Sequence, residues 1–411
     1  MALNYIWVTF FLIAFLVGLI KLIFLNDTAV FPAMMNATFD MAKTGFEISI
    51  GLTGVMTLWL GLMRIGEKGG AIAILARLLS PFFSRLFPEI PRNHPATGSI
   101  VMNFSANILG LDNAATPLGL KAMNDLQELN PNKDTASNAQ IMFLVLNASG
   151  LSVIPLSIIA DRVTMESTNP TSIFIPILIA TSCSTLAGLI YVSIRQRINL
   201  LNPVLLSWLL GFVAVLLSMV WYFGSLSPGE LKHQSMLVTS VIILSIIITF
   251  LVLGLIKRIP LFETFIEGAK EGFNTSIRII PYLVGILVSI GVFRESGTLD
   301  YLKDGARIGL EAMGADTRFV DALPVAFMKP LSGQGARGMM VDVSKDSGGP
   351  DTFVGNMASI FRGSAETTFY ILALYFGSVN VRRTRYAVSG GLIADLFGVL
   401  GGIYAGYLFF G

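Results

Sequence analysis

Apolar runs of about 20 residues recur along this chain, and they constrain its fold more than any other feature. A helix of about 20 apolar residues is long enough to cross the hydrocarbon core of a bilayer. Hydrophobic residues make up 54% of the 411 residues and charged residues only 13%, so a water-exposed surface could not hide the apolar side chains. The sequence therefore predicts an all-α polytopic membrane protein.

Hydropathy predicts about nine transmembrane helices. The first apolar run lacks a basic n-region and a small-residue cleavage site, so we interpret it as a membrane helix and not as an export signal. Two amphipathic segments, near 68–87 and 298–313, lie between the spans. The nine spans are residues 4–25, 45–63, 139–160, 171–194, 203–223, 235–256, 275–293, 353–377 and 386–410.

Lysine and arginine in the short connections predict the orientation, because such connections remain in the cytoplasm. With these connections inside, the spans alternate so that the N-terminus is cytoplasmic and the C-terminus external. The segment after the second span is basic, whereas the segment after the seventh is more acidic than basic, which predicts an external position for the latter. The connections that set this orientation carry Arg195, Arg197, Lys257, Arg258, Arg382, Arg383 and Arg385.

An internal repeat divides the chain. Residues 42–50 and 269–277 share the pattern A-K-x-G-F-x-x-S-I at an offset of 227 residues. A span, an amphipathic segment, a polar glycine-bearing segment and two more spans follow in both copies, although chance similarity between helices remains an alternative. The number of spans between the copies is odd, so the prediction is two inverted-topology repeats, an architecture typical of secondary transporters.

Two polar segments, residues 96–126 and 323–343, are too polar to span a membrane and too apolar for ordinary loops. Their glycines and prolines break helices, and broken backbone at membrane depth requires cover from protein or a water-filled cavity. We predict a re-entrant hairpin in each segment, with exposed surface loops as the alternative. The candidate substrate-binding residues are Asn103, Asn107, Asp112, Asn113 and Thr116 on the first hairpin and Lys329, Ser332, Gln334 and Arg337 on the second.

The spans that follow the hairpins contain polar clusters inside apolar runs. The candidate residues are Asn147 and Ser149 in the first copy and Ser364, Glu366 and Thr367 in the second. A charge inside a membrane is costly unless it faces a cavity or a partner, so Glu366 is the sharpest candidate. It either pairs with Arg362, four residues earlier, or serves as a proton or cation relay or a ligand contact.

Other classes of function are disfavoured by the composition. The net charge of +2 offers no basic face for nucleic acid. Two histidines without partners at ligand spacing and a single cysteine, Cys183, give no metal site. No nucleophile with a base can be assembled, so we predict neither an enzyme nor a cofactor other than a coupling ion.

Longer motifs resemble a known family. Residues 107–123 (NILGLDNAATPLGLKAM) resemble spore maturation protein A sequences. Residues 329–340 (KPLSGQGARGMM), with G-S-x-x-T-T-F-Y from Gly363 and Y-F-G-S-V from Tyr375, resemble spore maturation protein B sequences. Both belong to the nucleoside recognition, or Gate, family. The resemblance implies a fusion with an A-like repeat at 1–200, a linking helix at 201–224 and an inverted B-like repeat at 225–411.

The resemblance also implies a bacterial inner-membrane protein. Our hypothesis is a secondary transporter or permease for a small polar, anionic or nucleoside-like solute, coupled to a proton or sodium ion. The alternative is a non-transporting scaffold or regulator of cell-envelope maturation. The expected partners are the solute, the lipid bilayer and a second copy of the chain in a homodimer. In this hypothesis Asn107, Asp112, Asn113 and Thr116 face Ser332, Gln334, Arg337 and Glu366 across a midplane cavity. Arg337 pairs with an anionic substrate group or with the Asp112 carboxylate, and Glu366 binds the coupling proton or sodium ion.

Overall fold

A computed structural model describes residues 2–91, 94–152 and 155–411, without the side chains of residues 2–4, 6, 112, 113 and 228. The first half contains α1 (Ala2–Phe24), α2 (Val30–Gly69), α3 (Ala71–Leu86), α4 (Pro95–Ile108), α5 (Asp112–Leu129), α6 (Asn138–Ser149), α7 (Leu156–Thr164) and α8 (Phe174–Gln196). Two helices, α9 (Pro203–Gly224) and α10 (Pro228–Ile256), connect it to the second half.

The second half repeats the order of elements seen in α2 to α8. A long helix, an amphipathic helix, the two arms of a helical hairpin, two short consecutive helices and a final long helix follow one another in both halves. The second-half helices are α11 (Leu261–Glu295), α12 (Thr298–Ala312), α13 (Leu323–Met328), α14 (Gly333–Asp346), α15 (Phe353–Gly363), α16 (Thr368–Ser378) and α17 (Ala387–Phe410). The all-α fold predicted from the sequence is confirmed.

Seven of the described helices are long and apolar enough to cross a membrane, namely α1, α2, α8, α9, α10, α11 and α17. The chain is therefore a multi-pass membrane protein. We expected each of the two remaining predicted spans, 139–160 and 353–377, to be a single helix, and neither is one. Each consists of two shorter helices, α6 with α7 and α15 with α16, and both interruptions fall at the polar clusters seen in the sequence.

Local sequence explains where these short helices begin and end. A capping box between Ser137 and Gln140 starts α6, and Gly150 ends it in the left-handed conformation at φ 63°. Pro155 directly precedes α7, a position near a helix start where a residue without a backbone N–H is tolerated. In the second half, α15 ends at Gly363, and Thr367 stands in extended conformation at the N-cap position of α16, without a side-chain capping hydrogen bond.

The two segments aligned as a repeat run antiparallel to each other. A Cβ atom added to Gly45 on α2 would lie 3.0 Å from the Val284 backbone on α11, and one added to Gly272 would lie 2.5 Å from the Met56 carbonyl oxygen. The two glycines are equivalent at the offset of 227 residues, so each copy brings the same small residue to a close backbone approach. Antiparallel copies are what an inverted repeat requires, and inversion across the bilayer stays a prediction.

The chain forms two compact units. Unit 1 comprises Met1–Leu58, Ser157–Pro170 and Lys270–Arg362, and unit 2 comprises Trp59–Leu156, Thr171–Ala269 and Gly363–Gly411. Each unit therefore contains one hairpin, with α13 and α14 in unit 1 and α4 and α5 in unit 2. The repeat boundaries at 200 and 225 concern a different division of the chain and stay a prediction.

A chain of aromatic rings organises the core of unit 2. The rings of Phe83 and Phe104 stack at 4.7 Å, Phe143 meets Phe104 at 5.6 Å, and Tyr375 meets Phe143 at 5.4 Å. These side chains come from α3, α4, α6 and α16, so the contacts fix the hairpin arm α4 against both short helices of the unit. In unit 1, Gly338 of α14 lies directly against Ile286 of α11.

Candidate functional site

A buried cluster of charges lies in unit 1. Asp161 of α7 is fully buried, and Arg337 of α14 and Arg362 of α15 are 4% and 8% exposed. Arg337 donates from Nε to Asp161 Oδ1 at 2.8 Å, and its Nη2 also donates to that oxygen. Arg362 donates from Nη1 to Asp161 Oδ2. Two guanidinium groups thus share one carboxylate, a charge arrangement that is costly to bury and that marks functional sites in membranes.

The hairpin positions Arg337 through its second arm. Ser332 caps α14, because its hydroxyl oxygen accepts a hydrogen bond from the Gly335 backbone at 2.9 Å. Arg337 consequently falls in the second turn of α14, one turn after Gln334. The side-chain oxygen of Gln334 is buried and has no hydrogen-bond partner among the described residues. A buried amide oxygen without a partner among these residues leaves an acceptor available one turn from Arg337.

Neighbouring contacts hold α7 in place. Arg162 is fully buried and donates to the Pro350 carbonyl at 2.7 Å and to the Asp351 carboxylate at 2.8 Å. Asp351 also accepts hydrogen bonds from Ser167 and Thr168. Burial alone would raise the pKa of Asp351, but the hydrogen bonds from Ser167 and Thr168 and the charge of Arg162 hold it below its usual value.

Unit 2 contains an uncharged counterpart made of asparagines. Asn107 donates to the side-chain oxygens of Asn147 at 2.9 Å and of Asn103 at 3.3 Å. Asn103 is fully buried and donates to the Ala115 carbonyl at 2.8 Å, which joins the two arms of the hairpin. Asn147 donates to the Phe143 carbonyl one turn earlier at 2.8 Å. Three amide groups therefore meet between the first hairpin and the end of α6.

The two interrupted helices contact each other within unit 2. The Glu366 backbone N–H donates to the Ala148 carbonyl at 2.9 Å, so the segment before α16 touches the end of α6. A Cβ atom on Gly150 would lie 2.6 Å from the Glu366 nitrogen, which explains why glycine occupies this position. Next to it the hydroxyl groups of Ser149 and Thr185 lie 2.9 Å apart.

The structure divides the predicted site residues between the units. Unit 2 holds Asn103, Asn107, Thr116, Asn147, Ser149, Ser364, Glu366 and Thr367, and unit 1 holds Lys329, Ser332, Gln334 and Arg337. The side chains of Asp112 and Asn113 lie outside the described part of the structure. Asn103, Asn107 and Asn147 do come together. The expected arrangement of the first-hairpin residues opposite the second-hairpin residues stays a prediction.

One expected pairing is wrong. Glu366 does not pair with Arg362, because the helix is interrupted between them and the four-residue spacing no longer places them on one face. Arg362 binds Asp161 instead, and the Glu366 side chain is exposed. Arg337 donates to Asp161 in the structure, and its expected contact with an anionic substrate group or with the Asp112 carboxylate stays a prediction.

Asp161 and Arg162 were missed by the sequence prediction. The third span was expected to end at residue 160, so both residues fell just outside it as the start of a polar connection. A signal was present, because Asp161 directly follows the apolar run L-S-I-I-A in which no turn residue marks the end of a helix. An aspartate in such a position is a candidate for an intramembrane charge.

Comparisons with known proteins agree with these motifs. The Gate family model, described as nucleoside recognition, matches residues 49–162. Spore maturation protein A of Bacillus subtilis (strain 168) is 42% identical over 187 residues, which make up 46% of this chain and 92% of that protein. The chain belongs to the spore maturation protein family. Spore maturation protein B of the same organism is 44% identical over 166 residues, 40% of this chain and 91% of that protein. Together the two matches fit a fusion of an A-like and a B-like spore maturation protein.

Proposed function

We propose that this spore maturation protein homologue is a transporter of the bacterial inner membrane, with its N-terminus in the cytoplasm. The observation that carries the proposal is the pair of interrupted helices, which lie where the sequence predicts continuous spans. Unwound backbone at membrane depth needs cover from protein or a water-filled cavity, and such helices form the substrate sites of secondary transporters. The contact between Glu366 N–H and the Ala148 carbonyl brings two such interruptions together.

The charges in unit 1 support the proposed substrate class. Arg337 and Arg362 share the single carboxylate of Asp161, and the two bonds from Arg337 to Asp161 use Nε and Nη2. Nη1 of Arg337 takes no part in these bonds and can donate to a ligand. The side-chain amide of Gln334, whose oxygen is buried, can present a donor or an acceptor, since either orientation of the group is chemically allowed. This set suits a small polar solute that carries an anionic group.

The names of the relatives widen the set of candidates. The family model is described as nucleoside recognition, so nucleosides and nucleoside monophosphates belong among the solutes to be tested. Coupling to a proton or to sodium is part of the proposal, since secondary transporters are driven by ion gradients. Homodimerisation remains a prediction.

The test is uptake into proteoliposomes that contain the purified full chain. The panel comprises uridine, uridine monophosphate, succinate and inorganic phosphate, each with a proton or sodium gradient. Arg337→Lys keeps the charge and removes the planar two-donor geometry of the guanidinium, so it should lower uptake of the transported anion by about 10-fold to 100-fold. The matched control is Arg307→Gln, because Arg307 forms its ion pairs with Asp304 and Asp321 at the surface of the same unit.

Two results would contradict the proposal. If no member of the panel crosses the membrane under any gradient, the result favours the alternative of a non-transporting scaffold. If a solute is transported and Arg337→Lys is indistinguishable from Arg307→Gln, transport stands but the assigned site does not. Both variants are checked for insertion and helical content by size-exclusion chromatography and circular dichroism.

A further inference from the structure

A basic cleft lies where α8 ends and α17 begins. It has a volume of about 650 Å³ and is lined by Ile194, Arg195, Arg385, Tyr386 and Ser389, all of which belong to unit 2. The two helices are antiparallel neighbours, as shown by the 2.7 Å contact between the hydroxyl groups of Tyr191 and Ser389. The cleft therefore opens at one end of two helices that are long and apolar enough to cross a membrane.

Two cations are held beside one aromatic ring in this cleft. The guanidinium carbons of Arg195 and Arg385 lie over the Tyr386 ring, 5.2 Å and 5.1 Å from its centre. The ring is fixed because its hydroxyl donates to the Asn138 side chain at 3.0 Å and the residue is 9% exposed. Arg385 is further restrained by a hydrogen bond from Nη1 to the Ala136 carbonyl at 3.0 Å. These contacts preorganise both charges.

No carboxylate among the described residues forms an ion pair with the two arginines of the cleft. Across residues 2–91, 94–152 and 155–411, no aspartate or glutamate oxygen lies within 4 Å of a guanidinium nitrogen of Arg195 or Arg385. Both arginines line the same cleft, so an anion bound there would be attracted by two positive charges. Guanidinium groups bind phosphate oxygens through charge-assisted hydrogen bonds, so phosphate chemistry fits the cleft.

We propose that this cleft binds the phosphate headgroup of an anionic phospholipid. One wall of the cleft is apolar, because Ile194 lines it and is 69% exposed. Ile190, one turn earlier on α8, is 45% exposed and continues the same face toward the middle of the span. A lipid places its phosphate on the two arginines and its acyl chains along these isoleucines. Basic pockets between spanning helices are an established chemistry for binding acidic headgroups.

Native mass spectrometry of the full chain in detergent tests this proposal. Phosphatidylglycerol is the probe, phosphatidylcholine is the uncharged comparison, and inorganic phosphate in large excess is the competitor. Arg195→Gln and Arg385→Gln should each weaken phosphatidylglycerol binding about fivefold, and the double variant about 25-fold. The matched control is Arg258→Gln, since Arg258 is exposed in a basic connection on the same predicted side of the membrane and does not line the cleft.

The outcomes distinguish a phospholipid headgroup from a soluble phosphate compound as the bound anion. A preference for phosphatidylglycerol that is reduced in each cleft variant, reduced further in the double variant and kept in Arg258→Gln supports the lipid site. Displacement of phosphatidylglycerol by inorganic phosphate would overturn it in favour of a soluble phosphate compound. Equal weakening by Arg258→Gln, or equal binding of both lipids by the unaltered chain, would also overturn it. Arg195 is exposed, so loss of folding is not expected in that variant, and its elution volume verifies this.

Discussion

The shared carboxylate of Asp161 leads to an unusual prediction about suppressor substitutions. Asp161→Asn leaves Arg337 and Arg362 buried without the carboxylate that joins them. Breaking a buried ion pair in this way costs about 3–5 kcal/mol. Two cations about 5 Å apart at an effective dielectric constant of about 20 repel by about 3 kcal/mol, which is the main part of that cost. Arg337→Gln instead leaves a neutral pair of Arg362 and Asp161, and should cost about 1.5–3 kcal/mol for the lost hydrogen bonds.

The double variant Asp161→Asn/Arg337→Gln should consequently be more stable than Asp161→Asn alone. Removal of the second cation removes the repulsion of about 3 kcal/mol, and the cluster returns to one surplus positive charge. The assay is unfolding of the purified chain in mixed detergent micelles with increasing dodecyl sulfate, followed by circular dichroism. The free energy of unfolding is compared among the unaltered chain, both single variants and the double variant.

The reasoning is refuted if the double variant is as unstable as the sum of the two single changes. Additive losses would mean that Arg337 and Asp161 contribute independently and that charge repulsion does not dominate. The control cycle uses Asp304→Asn and Arg307→Gln, an exposed pair on α12 in the same unit. Neither change there should exceed about 1 kcal/mol, because surface ion pairs contribute little.

Three further predictions follow from other parts of the chain. Gly150→Ala should lower the unfolding free energy by about 1–3 kcal/mol, because φ is 63° and the new methyl group would meet the Glu366 backbone. The control is Gly211→Ala on α9, which has open space around it and should be neutral or stabilising in the same assay. Single cysteines that replace Arg85 or Arg318, in a chain in which serine replaces Cys183, should react with an impermeant reagent from opposite sides of the membrane. Reaction of both from the same side would exclude the inverted repeat. The stabilisation from the Asp351 carboxylate should be complete above its unfolded pKa of about 3.9 and lost as the pH falls through its lower folded pKa, and Asp351→Asn should flatten this acid limb of the stability profile.

Much of the fold could be predicted from the sequence because length and hydropathy suffice for a membrane helix. Each of the seven continuous apolar helices overlaps one predicted span, and the two amphipathic segments form the helices α3 and α12. The two interruptions were visible only as polar clusters. Hydropathy averages over a window and therefore joins α6 to α7 and α15 to α16, although glycine and the polar residues between them end the helices.

The candidate site was predicted less completely because pairing depends on contacts between distant segments. Asn103, Asn107 and Asn147 were recognised as polar residues at membrane depth, and the structure joins them by hydrogen bonds. Arg337 was also recognised, but its partner Asp161 lies 176 residues away in the sequence. No local pattern connects these two residues. Glu366 drew attention as a charge in an apolar run, and its exposure follows from a break in the helix that local spacing rules do not include.

The chain segments that make up each unit have a consequence for how the protein assembles. Unit 1 joins the first 58 residues and the α7 region to a long stretch that begins at Lys270, and unit 2 is assembled from three separate stretches in the same way. Neither half of the polypeptide can complete a unit without the other. Severing the backbone in the connection between α8 and α9 should therefore yield two fragments that are unstable when made singly and that associate when made together. In organisms where the A-like and B-like sequences are encoded apart, mutual dependence of the two products is the expected result.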